Sequence, residues 1–540
     1  MSRAFCTVAL LALACLLPRA ARVGLAGDYV DPIGRITAQD EALYAHSAIA
    51  MAVDGDWLTP RFMGRLALYK PPMLIWNAAL SAATLGIQPF ALRLPVVIVA
   101  ALGLALIFLW GSQVAGLGAG VSAALLLLGD HLFHTLSTLC MTDGLLIAFT
   151  VAATYCLYMD PRLESRAALV GFSAASAAAI LTKGIAGLFP LGVLVTYWLA
   201  ARAKERPRRV RLVLAGGLSV ALAAPWFVYQ LAVHQRWFWT EHVLVEILGY
   251  GGGAPPQTSH ESPFTFYLLR LAATDPLLLA AAALSVPGFF AALRHRSPGP
   301  TLLACWLGLT TAATLGWQYR NASYLLPLVP PLALMAACYG PFSGRRYSPW
   351  MLAALCGAFL VKAASPEAPW GLNYRAGTIQ PVATALSQYC NEAGSNDLIV
   401  VDLSDDLYGS TLPLRRLRYA VVGDLPARGD YAMPFEQMGI TVTVPEFNNL
   451  EHLEDTFRDR LQEWGVDSPQ PIATLVQARS KGELGELVRA HPRADFLLPE
   501  RLLPWVMNSG HEVIPAAPGY FFLRSKRRDH RNGLPWTCRM

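Results

Sequence analysis

Charge is what this chain has least of. Asp, Glu, Lys and Arg make up only 15% of its 540 residues, while 54% are hydrophobic; an average soluble domain carries roughly 25% charged residues. With a mean hydropathy of +0.39, that deficit excludes an ordinary soluble enzyme. Paired cysteines are lacking too. Of nine, Cys6, Cys15, Cys140, Cys156, Cys305, Cys338 and Cys356 lie in or beside apolar runs without C-x-x-C spacing and read as small buried hydrophobes. Cys390 and Cys538 fall in the more polar C-terminal part, where sequence leaves a bridge open. There is no strand–glycine-loop–helix phosphate motif, since Gly251-Gly252-Gly253 lies outside any such unit, and no clear internal repeat. The formal net charge of +6 is modest, and its arginines cluster in short loops between apolar segments, which gives no nucleic-acid signature.

What is present is a series of apolar blocks to about Lys362, then mixed sequence from Pro366 to Met540. This predicts a polytopic α-helical membrane protein of about 11–13 transmembrane helices, with a membrane domain over about residues 1–364 and a soluble α/β domain over about 365–540. The N-terminal segment resembles a short signal peptide up to Ala20-Ala21, but Val23 to Gly27 extends it to the roughly 20 residues of a span, and a retained first helix is expected. Further spans are expected at about 92–110, 114–132, 143–160, 167–183, 186–202, 210–232, 264–293, 300–317, 322–340 and 348–364. The run Arg202 to Arg211 is the strongest cytoplasmic marker. Counting from it makes Arg294-His295-Arg296 and Arg345-Arg346 cytoplasmic as well. It leaves the loop of about 28–91, the loop of about 233–263 and the C-terminal domain outside a bacterial cytoplasmic (inner) membrane. Met73 to Phe90, apolar but broken by Asn77, Ser81, Thr84 and Gly86, is expected as one or two interfacial helices.

That topology gathers the ionisable groups at one face: Asp40, Glu41, Arg61, Lys70, Asp130, His131, His134, Asp143, Lys183, Glu241, His242, Glu246, His260, Glu261, Arg320 and Tyr324. Such groups beside hydrocarbon are costly unless they pair or face water. Asp40 and Glu41 point about 100° apart on a helix, so they cannot serve one atom together; Asp40 and Asp143 each also suit a helix N-terminus. Lys70, aimed by Pro71-Pro72, suits a phosphate or a snorkelling role, and Lys183 admits the same two readings. Arg320 and Tyr324 share a face if helical and could clamp a lipid phosphate or serve as an aromatic-belt pair. The 233–263 loop reads as a lid or a linker. His242, His260 and Glu261 are weak candidates for a divalent metal, because no ligand spacing is strong.

Asp40-Glu41-Ala42-Leu43-Tyr44, Gly55-Asp56-Trp57, Lys70-Pro71-Pro72, Arg93-Leu94-Pro95, Asp143, Leu181-Thr182-Lys183-Gly184 and Tyr324-Leu325-Leu326-Pro327 occur in this order. The ordered set, over about residues 1–340, resembles the C-type (GT-C) glycosyltransferase family that contains the aminoarabinose lipid A transferases and the protein O-mannosyltransferases. The resemblance implies transfer of a sugar from a polyprenyl-phosphate donor to an envelope lipid, glycan or protein acceptor at the outer membrane face. It implies Asp40 and Asp143 as catalytic carboxylates, and Lys70 with Tyr324 and Arg320 at the donor phosphate; Glu41, Arg61 and Lys183 join the expected substrate-binding set. Where the aminoarabinose enzymes carry a metal-site Glu before the Lys-Pro pair, this chain has Tyr69, so zinc and that particular sugar do not carry over. No nucleotide is required for such a displacement; no cofactor is assigned, and a divalent metal is left open. The main alternative is a transporter or flippase for a lipid-linked or anionic substrate, although the acids fall in loops rather than at mid-span.

In the C-terminal part, strands are expected at Leu398 to Val401, Leu417 to Val422, Ile440 to Val444, Ile472 to Val476 and Phe496 to Leu498. Helices are expected at Ile379 to Tyr389, Asn449 to Trp464 and Leu484 to Arg489. The terminal Lys526 to Arg531 reads as a basic tail.

Overall fold

Long apolar runs without alternation can satisfy their backbone in hydrocarbon only as helices, and helices dominate the described residues. A computed structural model describes residues 2–21, 40–62, 65–249, 261–295, 297–317, 319–340, 357, 385–386, 388–389, 398–401, 417–422, 473–478 and 481–526. Among the described residues, seven helical stretches are long and apolar enough to cross a membrane: Arg3–Ala20, Pro89–Ala115, Thr142–Met159, Arg166–Ala200, Arg209–Gln235, Pro276–Arg294 and Ala322–Tyr339. The expected span at 348–364, apart from Gly357, lies outside the described residues.

The bundle is built around α4 (Pro89–Ala115), α5 (Leu117–Gly129), α7 (Thr142–Met159) and α8 (Arg166–Lys183). Helices α4 and α7 run side by side in the same direction, because a Cβ on Gly144 would meet Val96 and one on Gly103 would meet Ala148. Gly144 is required there: its added Cβ would lie 2.9 Å from both the Leu136 carbonyl and Val96 Cγ1. Helix α8 returns antiparallel, with Gly171 against Cys156 and Lys183 against Asp143. The starts of α4 and α7 and the end of α8 therefore meet, and α2 (Asp40–Asp54) and α3 (Met73–Leu85) pack beside them through Ile49, Leu74, Ile75 and Leu145.

Several expected spans are divided. The stretch at 114–132 ends at Gly129; Asp130 then caps a separate buried helix, α6 (His131–Leu136), by accepting from Phe133 N at 2.7 Å. The stretch at 264–293 is two helices, α11 (Pro263–Thr274) and α12 (Pro276–Arg294), because the Asp275 carboxylate turns to accept from Leu278 N at 3.0 Å and Pro276 starts a new helix. The span at 186–202 begins as a 3-10 turn, Gly184–Leu188, before α9 (Phe189–Ala200), and that at 322–340 as Ala322–Leu328 before α14 (Val329–Tyr339). Between them lies α13 (Pro298–Gly316). Helix α10 (Arg209–Phe238) kinks at Gln235, which has a φ of 43°, and passes into a π-helix, Trp239–Gly249. The first part of the expected lid loop is thus helical, whereas its glycine and proline runs at 251–256 fall outside the described residues.

The C-terminal part holds a six-stranded sheet of order β5-β4-β3-β6-β8-β7. Strands β3 (Leu398–Val401), β4 (Leu417–Val422), β5 (Ala473–Ala478) and β6 (Asp495–Pro499) are parallel; β8 (Tyr520–Arg524) and β7 (Glu512–Ala517) add an antiparallel hairpin across Pro518-Gly519. A helix, α15 (Lys481–Ala490), buries Leu484 and Val488 with Ile399, Val401, Phe496 and Leu498. The four strands expected at 398–401, 417–422, 472–476 and 496–498 are present. Those expected at 440–444 and the helix at 449–464 fall outside the described residues.

Candidate active site

Glu41 and Arg93 form the most enclosed ion pair among the described residues. Arg93 Nε and Nη2 donate to the two Glu41 oxygens at 2.6 and 2.8 Å, Cys140 N donates to Glu41 Oε1 at 2.9 Å, and Glu41 has no solvent exposure. Two charges taken out of water repay that cost only with such complete pairing. Glu41, expected beside substrate, instead ties the start of α2 to the start of α4 and to the turn before α7. It thereby fixes the helix start at which Asp40 is the first residue; the Asp40 side chain is outside the described residues.

Three residues beyond Cys140 in this junction, Asp143 Oδ1 accepts from Lys183 Nζ at 2.8 Å. The ammonium lies 5.7 Å from the Tyr324 ring centroid, on its face. Lys183 can end α8 here because Gly184 follows with a φ of +50°, and a Cβ on Gly184 would come within 3.3 Å of the His242 ring. Asp143, Lys183, Tyr324 and Glu246 line one cavity of about 380 Å³, whose remaining wall is largely apolar, including Leu146, Phe189, Leu309 and Trp317. That is the size and character of a small-molecule site, with a few convergent polar groups on an apolar wall.

Lys70 is not in that lining but is joined to it through an ion pair with Glu246 of the π-helix. The segment before it is fastened to that helix by two further bonds: Leu68 N donates to Glu241 Oε2 at 2.9 Å, and His242 Nδ1 donates to the Tyr69 carbonyl at 2.9 Å. The His242 ring stacks on Phe238 with centroids 5.0 Å apart. Burial, reinforced by the nearby Lys70 charge and partly offset by the Tyr69 carbonyl, lowers its pKa to about 4. It is therefore neutral at pH 7, and its Nδ1–H is fixed by the carbonyl.

The other expected residues are placed differently. Arg61 lies in the two-strand ladder of β1 (Arg61–Phe62) and β2 (Arg65–Leu66), opposite Leu66, and is not part of the cavity lining. Arg320 and Tyr324 do not share a helical face: Asn321 is extended and caps the 3-10 turn, and the Arg320 guanidinium donates to the Glu261 carbonyl. His260 falls outside the described residues, and among the described residues no three His, Cys, Asp or Glu side chains converge as a metal set. Glu246 was legible only as one of many polar groups at the expected outer face. Its pairing depends on a π-helix, which no sequence periodicity announces.

The family model described as dolichyl-phosphate-mannose-protein mannosyltransferase matches residues 69–229. The chain is 28% identical over 316 residues to the undecaprenyl phosphate-alpha-4-amino-4-deoxy-L-arabinose arabinosyl transferase of Aeromonas hydrophila, covering 55% of each chain. It is 30% identical over 316 residues to that of Pseudomonas aeruginosa, covering 55% of this chain and 54% of the relative. The chain thus spans about half the length of the curated relatives it matches. Among solved structures, ArnT from Cupriavidus metallidurans bound to undecaprenyl phosphate aligns with a TM-score of 0.66 at 17% identity, over 96% of this chain and 97% of that one. Its apo form aligns equally well, at 16% identity.

Proposed function

We propose, from the C-type glycosyltransferase fold of this chain, that it is an integral-membrane glycosyltransferase that moves a sugar from a polyprenyl-phosphate donor to an envelope lipid, glycan or protein. The observation that carries this reading is the cavity where the Asp143–Lys183 pair, Tyr324 and Glu246 meet an apolar wall, with Lys70 paired to Glu246 beside it. Cations and an aromatic face at the rim suit a sugar phosphate, and hydrocarbon-like walls suit the first isoprene units behind it.

In the reaction, the bond between the anomeric carbon and the phosphate oxygen breaks and its electron pair leaves with the phosphate. The acceptor oxygen bonds to the same carbon, and its proton passes to a carboxylate. Lys70 and Lys183 stabilise the charge that grows on the leaving phosphate. Asp143 aims Lys183 through their 2.8 Å bond. Asp40, at the helix start held by the Glu41–Arg93 pair, serves as base or acceptor-orienting group. Arg320 orders the 261 region by donating to the Glu261 carbonyl. A divalent metal, if one is used, would draw on His242 Nε2, because Nδ1 is committed to Tyr69.

The membrane portion corresponds to residues of about 1–364 and the sheet portion to about 365–540, with the site and the sheet on the outer side of the bacterial cytoplasmic membrane. The curated relatives are named for an undecaprenyl-phosphate aminoarabinose donor, whereas Tyr69 argues for a different sugar. Mass spectrometry of envelope lipids, glycans and proteins from cells with and without the gene tests the reading. A sugar-sized mass lost from one envelope class on deletion is expected; unchanged envelope chemistry would oppose it.

A further inference from the structure

Lys70 is held twice over. Its backbone approach is fixed by Leu68 N to Glu241 and by His242 to the Tyr69 carbonyl, each at 2.9 Å. Its ammonium is then neutralised by Glu246, whose side chain is 24% exposed against 13% for Lys70. Glu246 is therefore not needed to place the segment, yet it occupies the atom that a phosphate would take. It also lines the same cavity as Asp143 and Lys183, and through it Lys70, outside the lining itself, is joined to that site as a second ammonium.

We propose that Glu246 is an internal counter-ion that competes with the lipid phosphate for Lys70 and promotes release of the spent carrier. This rests on the polyprenyl-phosphate reading above. The donor phosphodiester carries a single negative charge. Once its sugar has left, the carrier is a monoester of roughly −1.5 to −2 charge at neutral pH, which two lysines would hold more tightly than the donor. Glu246, returning to Lys70, offsets that gain. The carboxylate sits on the π-helix Trp239–Gly249, a geometry that is rare and concentrated at functional sites, and its partial exposure leaves it room to rotate away when a phosphate arrives.

The test is equilibrium binding of radiolabelled undecaprenyl phosphate in detergent micelles to the purified full-length chain, with wild type, Glu246→Gln, Glu246→Asp and Glu241→Gln compared at matched thermal stability. Removing a partly exposed competing charge is expected to tighten binding roughly 3- to 10-fold in Glu246→Gln. A smaller tightening is expected in Glu246→Asp, which shortens the reach to Lys70 and serves alone if the amide variant does not fold. Glu241→Gln, which loosens the segment that carries Lys70, is expected to weaken binding. A Glu246 positioning role would instead make Glu246→Gln bind equally or more weakly, and that result overturns the proposal while leaving the glycosyltransferase reading intact. If folded wild type and variants alike fail to bind undecaprenyl phosphate, both the proposal and the donor class fall.

Discussion

Asp40 and Glu41 are neighbours in sequence with separate tasks. Glu41 is enclosed by Arg93 and the Cys140 amide, so Glu41→Ala strands a buried guanidinium. It should destabilise the protein by about 3–5 kcal/mol, visible as a large drop in Tm or as lost expression. Asp40→Asn should leave Tm near wild type and lower turnover by roughly 10²- to 10⁴-fold. Normal turnover in Asp40→Asn would remove it from the chemistry. The Glu-Arg pair was hidden in the sequence because the partners lie 52 positions apart, and a carboxylate beside a catalytic candidate invites a catalytic reading. The Asp143–Lys183 contact was half legible: both residues were candidates at one face, but that they bond to each other required the antiparallel packing of α7 on α8.

At the scale of elements, the π-helix Trp239–Gly249 is what ties the 66–70 segment to the cavity, and His242 is its buried pin. With a pKa lowered to about 4 by burial, against about 6.5 unfolded, the unfolded chain binds more protons between those values. Stability should therefore be complete above pH 6.5 and fall as pH drops towards 4, by up to roughly 3 kcal/mol. Thermal melts across that window test it. His242→Gln, which can keep an N–H to the Tyr69 carbonyl, should flatten the dependence, whereas an unchanged slope would assign it to other groups. Element positions were mostly legible, since apolar runs mark α4, α7, α8, α10 and α13. The divisions were not: Asp130 and Asp275 each turn a polar residue inside an apolar run into an N-cap, and hydropathy alone does not separate that from a span carrying one charge. The hairpin at Glu512–Ala517 and Tyr520–Arg524 had a usable signal in Pro518-Gly519 before Tyr520-Phe521-Phe522-Leu523, but Pro515 weakened the first strand.

For the whole molecule, the charge deficit already distinguished a membrane protein from a soluble one, and the change of composition near Lys362 lies between α14 (Val329–Tyr339) and β3 (Leu398–Val401). The ordered motifs resemble the C-type glycosyltransferases, and the fold agrees over nearly the full chain with that of ArnT from Cupriavidus metallidurans, at a TM-score of 0.66. The cavity could not be read in this way, because its lining comes from α7, α8, α9, α13, the π-helix and the turn at Ala322–Leu328, elements brought together only by packing. The central claim is covalent transfer at that cavity. The direct measurement incubates the purified chain in liposomes with a radiolabelled polyprenyl-phosphate sugar and envelope extract, following label into lipid, glycan and protein fractions. Label appearing in one acceptor class, with release of polyprenyl monophosphate and loss of transfer in Lys183→Ala, is the predicted result. Label crossing the bilayer while remaining on its carrier would contradict the account and identify a transporter.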